Sequence, residues 1–184
     1  MNKFALGAVV CCVLTQALLF AEVTDSTANG FTIKITTSIH AAPADVYRRL
    51  LRVGEWWNSA HTFSGAAENL SIEERAGGCF CEKLPNGGVR HMQVVFLQPG
   101  KMLRLYGGLG PLQGMAATGP MTFNLSPADG GTKLELTYTV TGYFPDGAGK
   151  WPVAVDGVLG EQITRFKNYI ESGNPVGKTG EQKP

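Results

Sequence analysis

The chain is short of cysteine, of net charge and of every local signature that marks a familiar catalytic site. Of four cysteines in 184 residues, Cys11 and Cys12 fall in the apolar N-terminal run. The other two, Cys79 and Cys81, stand one residue apart in an alternating segment, which puts both side chains on one strand face. A bridge across a single residue is badly placed there, so no structural disulfide is expected and the fold must stand on packing. Lys and Arg number 16 against 15 Asp and Glu, with no charge run. Without a basic face there is nothing to hold nucleic acid or an anionic membrane. No Gly-rich phosphate loop links a strand to a helix, and neither G-x-S-x-G nor H-E-x-x-H occurs, so the common motifs of phosphate binding, serine hydrolysis and zinc proteolysis are missing. Heptads are absent too.

What is present begins with an export signature. Lys3 precedes a run from Phe4 to Phe20 that only Thr15 and Gln16 interrupt, and Ala21 leads into the polar Glu22, Thr24, Asp25 and Ser26. A charged start, an apolar centre and a small residue at the exit describe a cleaved secretory signal. The expected signal is 1–21, and the run is slightly short for a membrane span. The expected location is the periplasm or the medium, with no stable membrane insertion after cleavage. Removing residues 1–21 takes away Lys3 and no acid, leaving the mature balance at zero. Residues 22–30 read as a polar lead-in, 31–173 as one domain and 174–184 as a disordered tail.

Within that domain the apolar pattern changes period. Phe31, Ile33 and Ile35 alternate with Thr32, Lys34 and Thr36, predicting a strand to about His40. Pro43 opens a short helix whose apolar positions are Val46, Tyr47, Leu50, Leu51 and Val53, and Glu55 to Asn58 make a second short turn. Strands are then predicted at 69–74, 79–84, 89–97, 102–106, 118–125 and 132–141, separated by Gly-, Pro- and Asn-rich turns such as Pro85-Asn86-Gly87-Gly88. Pro152 opens a long final helix. Its apolar stripe is Val155, Leu159, Ile163, Phe166 and Ile170, with Gln162, Arg165, Lys167 and Glu171 outside it, and Gly173 ends it. One such helix buries its stripe against the inner face of a curled sheet. The expected class is α+β: an antiparallel sheet of about six to seven strands wrapped around the C-terminal helix.

This order resembles the START/polyketide-cyclase superfamily, which has the helix-grip fold of the major birch pollen allergen and the steroidogenic-acute-regulatory lipid-transfer domains. The segment Ala41-Ala42-Pro43-Ala44-Asp45-Val46-Tyr47 is similar to the opening of that family's first helix. Trp56-Trp57 falls where members carry a Trp, Gly77-Gly78-Cys79-Phe80-Cys81-Glu82 is similar to the GG-x-F-x-E hairpin of the bacterial branch, and Leu159 to Ile170 matches the closing helix. The resemblance covers Phe31 to Gly173 and implies a cavity for hydrophobic small molecules between sheet and helix. A minority of the family are cyclases or dehydratases. An export signal is a departure, since most members are cytoplasmic.

Candidate wall residues are Trp56, Trp57, Phe63, Phe80, Met92, Val94, Phe96, Tyr106, Phe123, Leu159 and Phe166; taken singly each is better read as plain core, and only the fold makes the set a cavity wall. The apolar, Gly-rich loop Leu109 to Ala116, with Leu112 and Met115, is either a lid or a permanently packed loop. Glu82 shares strand parity with Phe80 and needs a partner if it points inward; His91 or Arg90, across the hairpin, can supply one, and His61, Arg104 and Tyr106 are further polar candidates. A Glu82–His91 or Glu82–His61 pair would serve as an acid–base couple, or else as a structural ion pair at the sheet surface. A metal site or activated thiol from Cys79, Cys81, His61 and His91 lacks the recurring ligand spacing, so no metal and no cofactor is expected. Three readings follow: a carrier of a hydrophobic or amphipathic small molecule, a cyclase- or dehydratase-like enzyme, and an interaction module with a solid core. The sequence is silent on oligomeric state.

Overall fold

The computed structural model describes residues 20–177. The expected signal therefore lies almost wholly outside the described residues, as does the tail from 178 onward. Among the described residues eight strands form one antiparallel sheet: β1 (Phe20–Thr27), β2 (Gly30–Ile39), β3 (Leu70–Ile72), β4 (Cys79–Leu84), β5 (Gly87–Gln98), β6 (Met102–Gly107), β7 (Ala117–Ala128) and β8 (Gly131–Gly142). Their order across the sheet is β1-β2-β8-β7-β6-β5-β4-β3. Helix α1 (Pro43–Leu50) follows β2, and α2 (Trp151–Ser172) is the last helix among the described residues and packs against the sheet. This is the α+β helix-grip arrangement, with one strand more than expected.

The extra strand is β1, where a polar lead-in was expected. Residues 22–27 of it are exposed apart from a half-buried Val23, so this stretch carries no apolar alternation to read. Backbone pairing with β2, from Phe20↔Thr36 to Thr27↔Gly30, makes it a strand. It starts two residues ahead of the cleavage point expected after Ala21.

Packing follows the periods read from the sequence. Ile33, Ile35, Leu134, Leu136, Tyr138 and Val140 are buried on the inner face of β2 and β8. Pro43 sits in the first turn of α1, which buries Val46, Tyr47 and Leu50. Helix α2 runs along β2. The chain entering it is tied by Ala148 N–H to the Ala28 carbonyl at 3.1 Å, and its far end by Lys167 Nζ to the Ser38 carbonyl at 2.8 Å. It ends at Gly173 (φ 77°), the left-handed position that favours glycine. No helix among the described residues is long and apolar enough to cross a membrane.

The pairing of β4 with β5 slips between Phe80↔Met92 and Cys81↔Arg90, leaving His91 as an extra residue on β5. A second slip separates Val94↔Leu105 from Phe96↔Arg104, with Val95 extra. Such bulges bend a strand and re-aim its side chains. Cys79 and Cys81 are joined as a disulfide, against the expectation. With the slip between Phe80 and Cys81, their Cα atoms lie 5.3 Å apart, shorter than the roughly 6.6 Å of two extended residues and close to the usual disulfide spacing. Both cysteines are half-exposed on the face opposite Phe80.

Candidate functional site

Side-chain size along α2 decides where the interior is full. At the C-terminal half, Ile163 and Phe166 are buried, and the Phe166 ring lies 4.9 Å from Trp56. At the N-terminal half the residues facing the cavity are Trp151 in the first turn, then the smaller Ala154, Val155, Val158 and Leu159, interspersed with Gly157 and Gly160. They do not fill the space, and a cavity of about 370 Å³ remains. Its other walls are Trp57 and 60–63, Leu70, Phe80 of β4, His91 of β5, and 109–112.

The segment that carries Trp57 to Phe63 is strapped to α2. Arg165 Nε donates to the Trp56 carbonyl at 3.0 Å. The Asn58 amide N–H donates to Gln162 Oε1 at 2.8 Å, and the Asn58 side chain donates to Glu161. This explains why Gln162, expected outside the apolar stripe, is buried: it satisfies a backbone donor of the strapped loop. His61 Nε2 lies 3.1 Å from Glu161 Oε2 at the cavity mouth. Trp57 Nε1 donates to the His61 carbonyl at 3.1 Å, which turns its ring toward Phe80, 5.9 Å away.

Deeper in, Glu82 and His91 meet. Glu82 faces inward with Phe80, as parity predicts, and its carboxylate collects donors. The Phe63 N–H donates to Oε2 at 3.1 Å and the Ser64 N–H to Oε1. His91 Nε2 lies 3.0 Å from Oε2. Strand parity alone would aim His91 outward, opposite Met92; the bulge turns both inward. Glu82 is 1% and His91 6% exposed, so the pair is interior and not a surface ion pair. Burial pushes the Glu82 carboxyl up, but hydrogen bonds from Ser64, the Phe63 amide and His91 outweigh it and hold the group below its ordinary value. Burial pushes His91 down more than Glu82 lifts it, so the imidazole is neutral at pH 7. The pair combines an ionised carboxylate with a neutral imidazole of fixed orientation, an arrangement able to accept a proton or a hydrogen bond.

The other expected residues divide by position. Trp57, His61, Phe63, Phe80, Leu109, Leu112 and Leu159 line the cavity together with His91. Glu82 stands behind His91. Trp56, Met92, Val94, Phe123 and Phe166 are core residues away from the cavity. Met115 is half-buried and also apart from it. Tyr106 and Phe96 are corrected outright: they are 49% and 44% exposed on the outer face. The Val95 bulge reverses parity at Phe96, and Tyr106 alternates with the buried Leu105. Arg104 is on that outer side as well, 5.9 Å from the Phe96 ring. Arg90, exposed, gives no side-chain support to Glu82. The 109–116 loop forms a short 3₁₀ helix at Gly110–Met115, with Leu112 buried and Gln113 Nε2 donating to the Arg90 carbonyl at 2.7 Å. Leu70, Pro111, Trp151, Ala154 and Val158 were missed. Ala154 and Val158 lie one residue from the stripe positions Val155 and Leu159, where a cavity broader than the stripe reaches.

Cys79 and Cys81 face outward and His91 inward, so they form no common ligand set. Among the described residues no three His, Cys, Asp or Glu side chains gather at one point.

No family model matches the chain, and no curated protein matches it. Solved structures do. A protein of Rhizobium leguminosarum is 17% identical over 78% of this chain and 98% of its own, with a TM-score of 0.57. The Aha1 dimer of Colwellia psychrerythraea is 18% identical over 77% and 97%, with a TM-score of 0.56. A protein of Chromobacterium violaceum is 18% identical over 76% and 96%, with a TM-score of 0.54. At these identities the likeness is one of fold, and the shared fold is consistent with the helix-grip type.

Proposed function

We propose that the chain is an exported, START/polyketide-cyclase-like binding protein that sequesters a hydrophobic or amphipathic small molecule in the cavity beneath the N-terminal half of α2. The observation that carries this reading is the cavity itself: about 370 Å³, walled by Trp57, Phe63, Phe80, Leu109, Leu112 and Leu159, with one deep polar pair. Ligand sites run from about 300 to 1,000 Å³ and are mostly apolar with a few fixed polar groups. This one is at the small end, suited to one or two fused rings or a chain of moderate length. Each buried CH₂ contributes about 0.8 kcal/mol, so a ligand of that size binds without chemistry being done on it.

Native mass spectrometry of the protein purified from its own cells, followed by extraction and identification of any bound compound, tests the reading. The expected result is one small apolar species per chain. A chain that carries nothing, and whose melting temperature no compound in a lipid and aromatic panel moves, counts against it. Mass analysis of the same sample for the N-terminus tests export, with a start at Glu22 expected.

A cyclase- or dehydratase-like enzyme is the second reading, favoured by the 3.0 Å contact between Glu82 and His91 in the cavity wall. It requires that a bound compound change on incubation. Turnover lost in Glu82→Gln with binding retained would establish it; a ligand recovered unaltered from the wild type leaves the carrier.

A further inference from the structure

We infer that His91 offers the cavity a hydrogen-bond acceptor at Nδ1, so that the site selects apolar ligands bearing a neutral hydrogen-bond donor (a phenol, an alcohol or an N–H heterocycle) over the matching ethers and carboxylates. This rests on reading the cavity as a ligand site.

The argument is a chain of donors and acceptors. Backbone N–H groups only donate, and two of them, from Phe63 and Ser64, end on the two oxygens of Glu82. That convergence holds the carboxyl as an acceptor. His91 Nε2, 3.0 Å from Oε2, must therefore be the donor and carry the ring proton. A neutral imidazole has only one N–H, so Nδ1 is left with its lone pair. Any hydrogen bond from a ligand to His91 is made at Nδ1, and the ligand has to bring the proton.

Nδ1 is buried and without a partner. Among the described residues it is the one such side-chain atom that belongs to a cavity-lining residue. Trp57 Nε1 and the His61 ring already have partners. A buried acceptor left unpaired is costly, and a ligand donor removes that cost, whereas an ether of the same shape does not. Phe63 stacks on the face of the imidazole at 5.8 Å, at the cavity rim and 56% exposed, while the Nδ1 lone pair lies in the ring plane. A carboxylate brings no proton and sets a second negative charge beside Glu82.

Calorimetric titration at neutral pH with 2-naphthol, 2-methoxynaphthalene and 2-naphthoate tests this. The expected order is 2-naphthol about tenfold tighter than its methyl ether, the difference of one hydrogen bond, with 2-naphthoate weakest. In His91→Phe the two neutral probes should bind alike, at the affinity of the ether. Because that variant removes a buried partner of Glu82, ¹⁵N NMR of the wild-type imidazole gives an independent reading. The proton should be found on Nε2, and the bare Nδ1 signal should move on adding 2-naphthol but not the ether. Equal binding of naphthol and ether by the wild type, or a ring proton on Nδ1, overturns the inference and leaves the cavity reading standing. If no naphthalene binds at all, the cavity reading falls and takes the inference with it.

Discussion

The two halves of α2 face the same sheet with opposite results. The C-terminal half presents Ile163, Phe166 and Tyr169, meets Trp56, and leaves no space. Past Trp151 in its first turn, the N-terminal half presents Ala154, Val155, Val158 and Leu159 among glycines, and borders a void. The backbone geometry is shared, so volume per side chain makes the difference. Close packing is the default state of an interior, and a gap that survives in one half of an otherwise filled interface is where function is to be sought.

Truncations should separate the halves most sharply. Phe166→Ala should lower unfolding free energy by about 3–5 kcal/mol in urea titration, as expected of a fully packed aromatic. Leu159→Ala borders existing space and removes fewer contacts, so its cost should fall at or below the low end of the roughly 2–5 kcal/mol range for such changes. Equal losses at residues 159 and 166 would erase the distinction.

Acid should act on the hollow half. The folded-state value of His91 is below its ordinary 6.5, so below that pH the unfolded chain takes up a proton that the native chain refuses. Stability should therefore decline as pH drops from 6.5 toward the folded value and be flat above it. Glu82 adds a second decline below 4.5, because its folded value is depressed: its contribution is present above 4.5 and lost as pH falls through the folded value. Thermal melts across the acid range check both limbs, and His91→Phe should remove the upper one.

Filling the void should have a smaller effect on stability and a large one on binding. Val158→Phe should change stability by no more than about 1–1.5 kcal/mol, since there is room to receive the ring, while 2-naphthol binding is lost. Gly157→Ala is the smallest change. Nothing lies within 4 Å of the added methyl, so it should stabilise α2 by about 0.5–1 kcal/mol and leave binding unaltered.

Much of this architecture was legible because its signals are local. Period two in β2 and β8, Pro43 and Pro152 at helix starts, Pro85-Asn86 at a hairpin and Gly173 at a helix end each state their geometry within a few residues. The site was legible in part. Parity placed Glu82 with Phe80, and proximity across the hairpin offered His91 as its partner. Three things depend on pairing partners that no single segment shows. β1 is a strand through its bonds to β2, not through its own pattern. The bulges at His91 and Val95 reverse parity, bringing His91 in and putting Phe96 out, and the slip at Phe80/Cys81 brings the cysteines within bridging distance. Gly107 marks the closeness behind the first bulge, since a Cβ there would stand 2.5 Å from the His91 carbonyl oxygen. Gln162 is buried because of a loop a hundred residues away, which an apolar stripe cannot reveal.

A ¹H–¹⁵N shift map of the protein titrated with 2-naphthol reads the contrast between the halves directly. Shifts should concentrate at Trp57, Phe63, Phe80, His91, Leu112, Val158 and Leu159, with Ile163 and Phe166 still. Shifts centred on the outer-face Phe96 and Tyr106, or spread evenly along α2, would contradict the assignment of the hollow half as the binding site.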